Sequence, residues 1–459
     1  MPLLGATGGG SAKGFGALAN LGYFIRNSLR FRGSNSAYLN RTLTTPTNNK
    51  IWTYSAWVKR GTLGSASQQH FFNYWTGGTG QAGILFSSNT DTIEFFDYTG
   101  SYGYQLVTTQ VFRDPSAWYH FVIAVDTTQA TAANRIKMYV NGNQITAFGT
   151  STYPSQNYNT LINSANAHYI GRRGDAAGYF DGYIAEQNFI DGQALTPSSF
   201  GKTDPVTNQW IPKKFAGTYG TNGFYLKFAD ASAATAAAIG KDSSGNGNNW
   251  TPNNISVTAG VTYDAMIDSP TLSAAASNYA VMNPLWTDGT VVIAQGNLDV
   301  SNGNYGGFST LTIPTNSKFY AEFTVTATQG NQGVGILKAA NAYSGVISQA
   351  DMFGSNSVTY YSVNGNKVVL GGGSTAYGSS WGTIGDVIGI AVNTVDNQIT
   401  FYKNNTSQGV ITGLTSGIEW VFATGNQTNT GGGAWNFGQR PFSYTPPTGF
   451  KSLNTFNLP

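Results

Sequence analysis

The sequence predicts an all-β protein: two β-sandwich domains, an N-terminal arm and an extended linker. Three observations carry this. Short runs of alternating apolar and polar residues recur along most of the chain, the period of half-buried strands. Turn formers punctuate them, with Gly at 58 and Pro at 15 of 459 residues. Helical periodicity with recognisable caps is nearly absent. Hydrophobic residues make up 40% and aromatics 14%, enough for sizeable cores and too much for a disordered chain.

The elements follow in order. Residues 1–28 read as an arm, because Gly8 to Gly16 is a glycine-rich run that disfavours regular structure, followed by the apolar Leu18, Leu21, Phe24 and Ile25. Either it is a disordered leader or its apolar residues order against a partner. Residues 29–200 read as the first sandwich. Trp52–Val58 alternates, Ala117–Val125 is a longer apolar strand, and Asn134–Val140 runs into Asn141-Gly142, a strong hairpin signal. His168–Gly171 and Phe180–Phe189 complete this set. Residues 201–289 are rich in small residues, turn formers and proline, and read as an extended linker pinned along both sandwiches; Gly223–Phe228 is a strand that adds to a neighbouring sheet. Residues 290–459 read as the second sandwich, from Lys318–Val325, Gln332–Ile336, Val358–Tyr361, Asp386–Val392 and Gln398–Tyr402, with a hairpin at Val363–Asn366.

Composition excludes several function classes. Only 10% of residues are charged and the net charge is +3, which argues against a nucleic-acid partner or an anionic membrane surface. No apolar run is long enough to span a bilayer. Without cysteine there are no disulfides, thiolate metal sites or cysteine nucleophiles. Three histidines, His70, His120 and His168, leave little material for acid–base chemistry. The first residues lack a basic region followed by an apolar stretch, which predicts synthesis in a cytoplasm without export.

The candidate binding residues are aromatics set among Gly and Ser: Tyr74-Trp75, Tyr98 with Tyr102 and Tyr104, and Tyr377 with Trp381. Such loops offer rigid contact area with adaptable hydrogen bonding, suited to stacking on sugar rings. The alternative is that these rings pad core edges or subunit contacts. Trp52, Trp118 and Phe121 read as core. Arg172 and Arg173 are candidates for an acidic sugar or a neighbouring subunit. The tripeptide Arg173-Gly174-Asp175 reads as a loop without further meaning.

Catalytic and metal constellations are weak. Glycoside hydrolysis needs two carboxyls across a cleft. Glu94 and Asp97 are three apart, which on a strand sends them to opposite faces, and Glu186 stands alone. Calcium wants six to eight oxygens. Asp91, Asp97, Asp126 and Asp181 are dispersed, and Asp242–Asn248 reads first as turn chemistry, with calcium as the alternative.

Two resemblances add to this reading. Trp118–Phe121, Lys137–Gly142, Phe180–Glu186 and Asp191–Pro197 resemble laminin-G-like, concanavalin A-like jelly rolls over about residues 28–200. Gly385–Val392, Ile399–Asn404 and Phe450–Asn454 resemble a SPRY (B30.2) domain over about residues 315–459. The glycine-rich leader, Asp242–Pro252 and Asp268–Thr271, in this order of parts, resemble phage tail-fibre and virion structural proteins. That resemblance implies a non-enzymatic virion protein made in the host cytoplasm. Its arm, with Lys13, Phe15, Leu18, Leu21 and Phe24, would attach it to other virion proteins. Trp75, Tyr102, Tyr104, Arg173, Tyr377 and Trp381 would contact host-surface glycan or protein. Capsid decoration, a tail accessory role and polysaccharide depolymerisation are the alternatives. Few charges on strand edges favour a homo-oligomer.

Overall fold

The computed structural model describes residues 22–286, 291–301, 306–328, 330–343, 349–426 and 431–459. It is 44% strand and 4% helix. The chain forms two compact units: one runs to Val257 and adds Tyr263–Thr271, and the other contains Thr258–Thr262 and the chain from Leu272. Of the arm residues, Lys13, Phe15, Leu18 and Leu21 lie outside the described residues, while Phe24 is half-buried just before the first strand.

The first unit contains β1 (Ser28–Phe31), β2 (Tyr38–Thr42), β3 (Ile51–Arg60), β4 (Gln69–Gly77), β5 (Gly80–Phe86), β6 (Thr92–Tyr98), β7 (Tyr102–Val111), β8 (Trp118–Asp126), β9 (Ile136–Val140), β10 (Asn143–Gln144), β11 (Phe148–Thr152), β12 (Ala167–Ile170), β13 (Gly182–Asp191), β14 (Gly201–Thr203), β15 (Trp210–Pro212), β16 (Phe224–Leu226), β17 (Thr251–Asn253) and β18 (Ala265–Met266). One sheet runs β10-β9-β8-β3-β13-β1-β18 with β16 on β13, and the other β11-β7-β6-β5-β4-β12-β2-β17. Asn141 and Gly142 both take positive φ, as the two-residue turn between β9 and β10 requires. The core between the sheets is strongly aromatic, with Trp52 edge-on to Phe95 and Phe71 stacked on Phe121. Each such ring taken out of water contributes roughly 1.5–3 kcal/mol.

The segment expected as linker behaves differently up to Thr271. The β14–β15 hairpin is fastened to the first unit by Trp210, whose indole N–H donates to His120 Nδ1 at 2.9 Å. Strands β16, β17 and β18 pair with β13, β2 and β1. Asp264 receives the guanidinium groups of Arg30 and Arg32 at 3.0 and 2.9 Å, and Asp268 receives the Lys59 ammonium at 2.8 Å and the Trp118 indole N–H at 3.1 Å. These buried carboxylates neutralise buried cations, so residues 201–257 and 263–271 are structural members of the first unit. Small residues and prolines concealed this in the sequence, because the strands are only two or three residues long.

The second unit contains β19 (Val292–Ala294), β20 (Asp299–Ser301), β21 (Gly306–Phe308), β22 (Lys318–Ala327), β23 (Gln332–Lys338), β24 (Ser357–Tyr361), β25 (Lys367–Val369), β26 (Val387–Asn393), β27 (Gln398–Lys403), β28 (Thr406–Thr412), β29 (Trp420–Asn426), β30 (Gly432–Asn436) and β31 (Lys451–Ser452). Its sheets run β19-β20-β30-β22-β26-β27-β28, with β31 on β22, and β21-β29-β23-β24-β25. The two motifs noted in the sequence meet here. The Asp386 carboxylate accepts the Asn404 side-chain amide at 2.8 Å, and Asn404 Oδ1 accepts the Val387 N–H at 2.8 Å. Asn404 and Asn405, both at positive φ, then turn β27 into β28.

Candidate functional site

The site is built on the outer face of the second sheet of the first unit. Along β4 and β6 alternate residues enter the core, Tyr74 and Phe95 among them, so Trp75, Phe96 and Tyr98 face outward. Cross-strand register carries the outward row onward: Tyr102 lies opposite Tyr98, Tyr98 opposite Gln81, and Gln81 opposite Trp75. On the far side Asn73 lies opposite Tyr169, and Tyr169 opposite Asn40. Tyr38 and Tyr179 complete the row, each within ring contact of the next. From β7 to β2 this crosses five strand spacings, roughly 24 Å.

The loop after β12 crowns this face. Its backbone is held by Gly174 N–H donating to Asn73 Oδ1 at 3.0 Å and by Arg173 N–H donating to the Ala177 carbonyl at 2.9 Å. A side chain at 174 would place its Cβ 2.2 Å from that of Trp75, so glycine is what lets the loop lie down on the indole. Arg173 then sits 5.5 Å from the Trp75 ring centre and makes a two-pronged pair with Asp175 at 2.8 Å. Arg172 lies over the rings of Tyr38 and Tyr169, at 3.7 and 4.8 Å.

Of the residues singled out in the sequence, the structure therefore brings Trp75 and Arg173 together and places Tyr102, 48% exposed, on the same face. Tyr104 requires a correction. It is not a loop residue: β7 continues through it, its side chain is fully buried, and it packs 4.7 Å from Phe95 inside the core. Gly103 makes this possible by leaving room for Tyr158. Trp381 is also corrected. It is 4% exposed and packs on Phe323 and Tyr360 in the second unit. Tyr377 is half-buried there, its hydroxyl donating to the Gly409 carbonyl and accepting the Phe401 N–H, and burial pushes it up to about 12. Tyr38, Tyr169, Tyr179 and Asn73 were missed. A signal existed for Tyr169, which alternates with the buried His168 and Ile170.

The carboxylates separate as their spacing requires. Glu94 faces outward, held by Gln105 at 2.8 Å, while Asp97 turns inward to the Tyr158 hydroxyl at 2.9 Å and the Leu161 N–H at 2.8 Å. Burial raises Asp97 to about 6. Glu186 lies on the other sheet at a bulge, with φ +50°, and takes the hydroxyl groups of Tyr23 and Tyr225; burial raises it to about 7. Asp242 accepts the backbone N–H groups of Tyr225, Ser244 and Asn248, which is the turn chemistry read from its sequence. Among the described residues no group of three or more His, Cys, Asp or Glu is placed to hold a metal ion. No helix among them is long and apolar enough to cross a membrane.

Comparison with known proteins agrees with this architecture. Residues 31–199 match the model of the concanavalin A-like lectin/glucanases superfamily, and residues 318–438 match that of the SPRY domain. The chain thus carries one domain of each kind. Among solved structures, it is similar to the SPRY domain of human HERC1, at 13% identity over 36% of this chain and 99% of that one, with a TM-score of 0.30. It is also similar to a human SPRY domain, at 16% over 32% and 94%, with 0.26. A third is the native heptameric SAP-like pentraxin from Limulus polyphemus, at 15% over 42% and 94%, with 0.29. No curated protein matches the chain in sequence.

Proposed function

We propose that this is a non-enzymatic binding protein of a phage particle, an adhesin or tail-fibre component, whose first unit engages host-surface glycan through the aromatic outer face of its second sheet. The coarser part, a binding module, accords with a lectin-like and a SPRY domain in one chain. The observation that carries the finer part is the row Tyr102, Tyr98, Trp75, Tyr169 and Tyr38, which lays partly exposed rings across roughly 24 Å of one sheet face. An extended saccharide stacks on such a row, and Gln81 and Asn40 interleave hydrogen-bonding groups between the rings. The separation of Glu94 from Asp97 onto opposite faces supports binding without hydrolysis. The N-terminal arm attaches the protein to other virion proteins, it is made in the host cytoplasm, and the low charge of its strand edges supports a homo-oligomer.

Immunogold electron microscopy of purified virions, with an antibody to this chain, tests the particle role. Label at tail or fibre tips is expected. Label over the capsid assigns decoration instead, and unlabelled intact particles refute the adhesin reading, leaving a buried component or a protein outside the virion.

A further inference from the structure

The two arginines of the crowning loop differ in one respect. Arg173 is neutralised by Asp175, whereas Arg172 has no carboxylate partner among the described residues. The residue is half-buried, its guanidinium lies over Tyr38 and Tyr169, and Nη1 donates to the Tyr179 hydroxyl at 3.4 Å. Its Nε–H is buried with no acceptor. A guanidinium is always charged and carries five donors in a planar fork. Stacking satisfies its faces but not its in-plane N–H groups. With Nε–H buried and Nη1 reaching Tyr179, the Nη2 N–H groups are the open in-plane donors, and a guanidinium fixed on an aromatic surface presents them to a planar or tetrahedral oxyanion. Ring stacking also removes the rotamer freedom that a long side chain otherwise loses on binding.

We infer that Arg172, held between Tyr38 and Tyr169, is an anion subsite, and that the saccharide recognised on this face is acidic, bearing carboxylate or sulfate. This rests on the binding reading above and names the ligand's chemistry within it. The position suits the role: Tyr169 lies in the same outward row as Trp75, so a chain stacked on the rings brings its acidic substituent to the guanidinium. Arg173 is a positioning residue here, since Asp175 already neutralises its charge while its guanidinium stands 5.5 Å from the Trp75 ring centre.

The test is retention of the full chain on immobilised neutral, uronate-bearing and sulfated oligosaccharides, for the wild type, Arg172→Gln, Arg172→Lys and Trp75→Ala. The inference predicts that acidic members are retained, that raised salt weakens them, and that Arg172→Gln weakens them about tenfold or more. Arg172→Lys keeps the charge and loses the fork, so it falls between. Uronate against sulfated members decides which oxyanion is read. Retention of neutral members alone, or acidic binding unchanged in Arg172→Gln, overturns the inference and leaves the binding face standing if Trp75→Ala still abolishes retention. No retention of any member overturns both. Unchanged thermal unfolding of Arg172→Lys separates loss of the subsite from loss of the fold.

Discussion

The guanidinium of Arg173 lies 5.5 Å from the ring centre of Trp75, and Gly174 is packed against the same indole. Two residues distant in the chain thus share one surface. They meet because β12 pairs with β4 and the loop after β12 folds back over the sheet, pinned by Asn73.

Trp75→Ala is expected to remove saccharide binding at the cost of little stability. The indole is partly exposed on an outer face, so its loss costs about 1 kcal/mol or less, whereas the lost stacking weakens binding at least about tenfold. Titration calorimetry and thermal unfolding of the same preparation check the two halves.

Trp381→Ala is expected to do the reverse. This indole packs between Phe323 and Tyr360 in the second unit, and deleting it leaves a cavity worth about 3–5 kcal/mol. Denaturant unfolding reads that loss, while saccharide binding by the first unit stays at the wild-type level.

Asp268→Ala tests the clamp. Lys59 is fully buried and pairs with Asp268 at 2.8 Å; burial lowers the Lys59 pKa and that carboxylate opposes the shift. Removing the acid takes the paired carboxylate from a buried cation, a loss of about 3–5 kcal/mol. The double variant Lys59→Met/Asp268→Ala is expected to recover part of it, as measured by a double-mutant cycle.

Acid is expected to destabilise the first unit. Burial lowers His70 and His120 to about 3 and His168 to about 4, from 6.5 when unfolded. The unfolded chain therefore binds more protons, and stability falls as pH drops below about 6.5 towards 4. Glu186, raised to about 7 from 4.5, and Asp97, raised to about 6 from 3.8, act with the opposite sign: the folded state binds their protons, so they lower stability as pH rises. Three histidines outweigh two carboxyls in the overlap, which places the maximum near neutral pH. Glu186→Gln removes the alkaline loss, so its melting temperature relative to wild type is expected to be higher at pH 8 than at pH 5.

The fold was legible where strands are long and alternate cleanly. Trp52–Val58 and Lys318–Val325 lie in core strands, as does Asp386–Val392 from Val387 onward, and Asn141-Gly142 turns as its residue types require. The β4–β7 meander was hidden, because Tyr102-Gly103-Tyr104 has the composition of a loop, although β7 runs through it with Tyr158 packed where a side chain at 103 would stand. Tyr104 and Trp381 were misread for a related reason. Glycine and serine beside an aromatic ring signal exposure only if nothing packs there, and long-range packing is not written in local composition. Part of the site was readable, through Trp75, Tyr98, Tyr102, Arg172 and Arg173. Tyr38, Tyr169 and Tyr179 join it through strand pairings that neighbouring residues do not reveal.

Saccharide binding by the outer aromatic face of the first unit is the proposed function. Its most direct measurement is an array of microbial surface glycans probed with the full chain and with Trp75→Ala side by side. Glycans bound by the wild type and lost from the variant, with unfolding unchanged, are the predicted result. Binding that persists in Trp75→Ala contradicts the account.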